Sequence, residues 1–81
     1  MDKLENLTED QKKYVIDLTV MMTVQEIAEI LNEDQDEVLH EFVSSNTGKL
    51  LYDESSKLWW DGPASIAQMY MQEKRGLRPQ V

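Results

Sequence analysis

The chain of 81 residues has no cysteine, one histidine, three glycines and two prolines. Each scarcity removes a class of protein. Without cysteine there is no disulfide framework, no thiolate zinc site and no cysteine nucleophile. The glycines, scattered at 48, 62 and 76, make no phosphate-cradling loop, and no serine has a credible base beside it. No window approaches the ~20 apolar residues that a membrane span needs. The first twenty residues hold no apolar run flanked by bases, so the expectation is a cytoplasmic, bacterial protein without a secretory signal. The most telling absence is of positive charge. Between Tyr14 and Gly48 there is no Lys or Arg, while eight carboxylates stand there: Asp17, Glu26, Glu29, Glu33, Asp34, Asp36, Glu37 and Glu41. That stretch carries the whole formal charge of −8, because elsewhere eight acids and eight bases cancel.

What is present is ordinary for a globular protein: 41% hydrophobic and 30% charged residues. A chain this short buries only about 60–65% of its unfolded surface, so its core is small. One domain over residues 1–76 is expected, with a flexible tail over 77–81.

Helix signals follow one another. Thr8-Glu9-Asp10-Gln11 is a capping box, and behind it Tyr14, Val15, Leu18, Met21 and Met22 share one helical face, the expected inward one. Thr23-Val24-Gln25-Glu26 is a second capping box and predicts a break and restart at Thr23. The helix it starts would bury Val24, Ile27, Ala28 and Leu31, with Ile30 flanking, and end at Asn32 in a left-handed conformation. Asp34 opens the next helix, with Asp36 and Glu37 where the helix dipole favours negative charge. Its inward positions are Val38, Leu39, Phe42 and Val43.

After Val43 the pattern changes. Two apolar quartets, Lys49-Leu50-Leu51-Tyr52 and Lys57-Leu58-Trp59-Trp60, flank the polar Asp53-Glu54-Ser55-Ser56. This predicts a β-hairpin across residues 47–60, with a helical turn over 47–52 closing on Asp53 as the alternative. Pro63 then opens a last helix, with Ile66, Ala67, Met69 and Tyr70 inward and Gly76 as its stop.

Candidates for chemistry are few. Glu37 and His40 make a Glu-x-x-His half-motif, whose di-iron use needs further carboxylates and a second copy of the motif. The simpler reading is a surface histidine among acids. An EF-hand loop counted from Asp34 has Leu39 at its sixth position, where glycine is required, which argues against calcium. No cofactor, metal or catalytic residue is expected. On a strand, Trp59 and Trp60 would point to opposite faces, one of them joining Tyr52 or Leu51 in an exposed aromatic patch. The alternative is that both are core or half-core residues of a small domain with few other large side chains.

The run over residues 23–43, TVQEIAEILNEDQDEVLHEFV, resembles a helix-turn-helix module. Ala28 stands at the tightly packed position of its first helix, Leu31 precedes the turn, and Val38 lies ten residues past Ala28. Asn32 replaces the more common turn glycine. The resemblance implies three short helices packed on Ile27, Ala28, Leu31, Val38 and Phe42. Its usual function does not follow, because the would-be recognition helix presents Gln35, Asp36, Glu37, His40 and Glu41, whereas phosphates need cations. Residues 45–73 also resemble, in style, small uncharacterised proteins of Firmicutes.

The expected architecture is therefore mainly α: a helix-turn-helix-like core of three short helices, a short β-hairpin and a C-terminal fourth helix. The expected function is a non-enzymatic protein–protein interaction module. Its partner-binding residues would be Glu33, Asp36, Glu37 and Glu41 on an acidic face and Tyr52, Trp59 and Trp60 on an aromatic one. The expected partner is another protein of basic character, or a second copy in a homodimer, rather than nucleic acid or a membrane. The alternative function is a dimeric DNA-associated regulator.

Overall fold

A computed structural model describes residues 7–76, and the expected tail over 77–81 lies outside the described residues. Four α-helices are formed: α1 (Glu9–Leu31), α2 (Gln35–Ser44), α3 (Asn46–Tyr52) and α4 (Pro63–Lys74). Two 3-10 turns, Glu54–Ser56 and Leu58–Trp60, join α3 to α4, and no strand occurs among the described residues. The class is mainly α as expected. The hairpin is not formed, and the first two expected helices are one.

α1 begins where the sequence says it should. The Thr8 Oγ1 accepts from the Gln11 N–H at 3.1 Å, and the Thr8 N–H donates to Gln11 Oε1 at 2.9 Å. It runs unbroken through Thr23 to Asn32, whose left-handed backbone (φ 57°) and N–H to the Ala28 carbonyl close it. The break at Thr23 fails because this side chain lies in phase with Ile16, Val20 and Ile27 and is fully buried with them. Threonine inside a helix costs about 0.5 kcal/mol relative to alanine, and its buried hydroxyl, without a hydrogen-bond partner among the described residues, about 1–3 kcal/mol more. The joint burial of Ile16, Val20, Val24 and Ile27 offsets both. A capping signal is local, and here packing overrides it.

The inward face of α1 also differs from expectation. Ile16, Val20, Val24, Ile27 and Ala28 are buried, whereas Tyr14, Leu18, Met21 and Met22 are 67%, 46%, 51% and 47% exposed. Both sets recur at helical spacing, and the structure buries the mostly β-branched one.

A tight turn leads to α2. The Asp34 carboxylate caps α2, accepting from the N–H groups of Asp36 (3.0 Å) and Glu37 (3.3 Å). Val38 and Phe42 are buried, with Leu39 and Val43 packed at the edge of the core. Ser45 then ends α2 and starts α3, donating to the Phe42 carbonyl at 2.6 Å and accepting from the Gly48 N–H at 3.0 Å.

Where a hairpin was expected, side chains occupy the backbone groups that a strand ladder would use. Asp53 accepts from the Ser55 N–H at 3.0 Å, and Ser56 Oγ donates to the Leu50 carbonyl at 2.6 Å and accepts from the Leu58 N–H at 3.1 Å. Serine and aspartate offer such local bonds readily, which favours short helical turns over pairing. Lys57, left-handed at φ 57°, separates the two turns. α4 starts at Pro63, buries Ile66, Ala67 and Tyr70, and leaves Met69, expected inward, 37% exposed. α1 packs against α2, α3 and α4, so the core lies along one side of this long helix.

Candidate functional site

The acidic residues converge on the end of α1, the turn and α2. Glu33, Asp36 and Glu37 are exposed, and no described cation lies within ion-pairing distance of them. Ile30, 50% exposed, stands just before them on α1. Asp34 belongs to the same cluster, but its carboxylate is engaged in capping α2.

Glu41 is different. Its Oε1 accepts from Lys74 Nζ at 3.0 Å, with the Tyr70 hydroxyl at 3.4 Å. The Lys74 hydrogen bond and charge hold the Glu41 carboxyl below the usual range, and the same bond raises the lysine. Tyr70 itself is raised, first by burial, and its ring lies 5.5 Å from that of Phe42. Glu41 thus ties α2 to α4, while Glu33, Asp36 and Glu37 remain turned to solvent. Glu33 is near enough to Lys74 to raise its pKa further.

The aromatic candidates separate. Trp59 is a core residue at 6% exposure, its indole N–H donating to the Glu54 carbonyl at 3.1 Å. Trp60 is 39% exposed, set edge-on to Trp59 with Lys57 Nζ 4.9 Å from its ring centre. One indole is therefore inside and one outside, through the geometry of a 3-10 turn rather than strand alternation. Tyr52, 46% exposed, borders a cleft of about 310 Å³ with Lys13, Ile16, Asp17 and Glu54. Burial, and then the Asp17 charge, raise its phenol pKa.

Sequence reasoning missed two contributors. Glu73, on α4, accepts from the Asn46 N–H (2.8 Å), the Thr47 N–H (2.9 Å) and the Thr47 hydroxyl (2.7 Å), and so caps α3 from a distant part of the chain. A long-range cap has no local signature. The other is the exposed apolar face of α1, whose helical spacing shows in the sequence and equally suits an inward face. Glu37 and His40 are both exposed on α2, and no group of three metal-binding side chains occurs among the described residues. No helix among the described residues is long and apolar enough to cross a membrane.

Comparison with known protein families, curated proteins and solved structures finds no match for this chain.

Proposed function

We propose that the chain is a non-enzymatic protein-interaction module whose acidic face, Glu33, Asp36 and Glu37, docks a basic partner. The observation that carries this is the contrast with Glu41, which sits on α2 with Asp36 and Glu37 but is held by Lys74. Three carboxylates within five residues are left exposed, and the half-exposed Ile30 precedes them by three residues at the end of α1. Complementary charge accelerates encounter and selects partners more than it adds affinity, so binding to such a face is salt-sensitive.

The test is charge reversal. Glu33→Lys, Asp36→Lys and Glu37→Lys together, assayed against a Lys/Arg-rich amphipathic peptide at low salt, are expected to weaken binding at least about tenfold, or ~1.4 kcal/mol. The same change in charge at Glu9, Asp10 and Asp61 is expected to cost far less. Equal losses for both triple variants would mean that net charge, rather than this face, does the binding. A DNA-associated regulator is the second reading. It is supported by the turn at Asn32 between α1 and α2 and opposed by the acids of α2. Retention on duplex DNA that falls steeply with salt would favour it.

A further inference from the structure

We infer that the outer face of α1 is a homodimer interface, formed by two copies packing their α1 helices antiparallel about a two-fold axis between Leu18 and Met21. This inference is independent of the acidic-face proposal, because it uses the outer side of the middle of α1, whereas Glu33, Asp36 and Glu37 lie on the following turn and α2. Tyr14, Leu18, Met21 and Met22 form a contiguous apolar stripe on the side of α1 that faces away from the core. Their exposures, 67%, 46%, 51% and 47%, amount to roughly 400 Å² of largely apolar surface, in the range of patches that mark interaction sites. Gln25 continues the stripe and the exposed Gln11, Asp17 and Glu29 border it, which widens the face toward the roughly 800 Å² that a standard interface takes from each partner.

The pattern is matched to its own reverse. Positions 14, 18, 21 and 25 are spaced four, three and four, so reading α1 backwards places Leu18 opposite Met21 and Tyr14 opposite Gln25. That is the alternating spacing by which two helices interlock side chains along a seam. Charge selects the orientation. A parallel pair would set Glu29 and the acidic turns of the two copies side by side, whereas the antiparallel register sets Glu29 opposite Asp10 but keeps the two turns apart. In the antiparallel pair the two Asn32 turns lie roughly 35 Å apart along the axis at 1.5 Å per residue, several screening lengths at physiological salt. Two chains of formal charge −8 can therefore associate with their acidic faces at opposite ends.

Sedimentation of the full chain at high micromolar concentration is expected to give twice the chain mass. Leu18→Glu with Met21→Glu, both at exposed positions, is expected to give the monomer with an unchanged helical circular dichroism spectrum. Because the chain has no cysteine, the pairing can be read directly. Leu18→Cys protein mixed with Met21→Cys protein should give mainly the mixed 18–21 disulfide under mild oxidation. That readout also stands if the charged variant fails to fold. A monomeric wild type, a dimer that survives the double glutamate substitution, or a preference for 18–18 and 21–21 disulfides would each overturn the inference.

Discussion

At Gly48 the chain passes so near the end of α2 that a Cβ would collide with the Phe42 carbonyl oxygen and stand 2.9 Å from its carbon and 3.1 Å from Val43 Cα. The obstacle is backbone, already fixed by the Ser45 hydrogen bonds, so it cannot swing aside. Gly48→Ala is therefore expected to cost about 2–3 kcal/mol, which urea unfolding measures; a loss below ~0.5 kcal/mol would show that the junction yields. The sequence pattern changes after Val43, but nothing in Ser-Asn-Thr-Gly told which group would press on the glycine. Other positions were open to reading. Thr8, Asn32, Asp34 and Pro63 occupy the helix ends predicted for them, because a cap is a contract among residues a few positions apart. Thr23 shows the limit of that logic. The same letters that could start a helix are swallowed by one when the side chain points at the core.

At the level of elements, the link between α3 and α4 rests on Glu73. Burial opposes its ionisation, but the Asn46 and Thr47 hydrogen bonds and the Lys49 charge outweigh this and leave its pKa below the ordinary 4.5. A carboxyl whose folded pKa is depressed stabilises the fold fully above its unfolded value and loses that contribution as pH falls through the folded one. Glu73→Gln is thus expected to flatten the loss of stability below about pH 4.5. At neutral pH, Glu73→Ala should cost about 1–2 kcal/mol by taking from the Asn46 and Thr47 N–H groups the acceptor that Ser45, which caps Gly48, does not supply. Thermal unfolding at stepped pH checks both, and an unchanged acid slope in the glutamine variant would refute the assignment. The hairpin was misread at this same level. Aromatic quartets around a polar turn carry strand character, yet Ser45, Asp53 and Ser56 satisfy the backbone locally, and residues 46–52 close as a helix. The alternative of a helical turn ending at Asp53 was present in the sequence. What decided between them was a set of side-chain bonds that composition does not rank.

For the whole molecule, the long α1 separates two surfaces: an apolar stripe along its outer face and an acidic region where it turns into α2. The charge was fully legible, since a 35-residue stretch without Lys or Arg needs no structure to find it. Which carboxylates are available was not, because the Lys74–Glu41 pair depends on how α4 packs across α2. The stripe was legible as a helical face and illegible as an outer one, because two apolar faces on a single helix look alike until the partner helices choose between them. On the proposed reading, the chain's function rests on what its exterior attracts. Backbone amide shifts of the full chain titrated with a Lys/Arg-rich amphipathic peptide test this most directly. The proposal predicts saturable, salt-sensitive changes centred on Glu33, Asp36 and Glu37, with Glu41 little affected. Changes spread evenly over all the carboxylates, or confined to residues away from this turn, would contradict it.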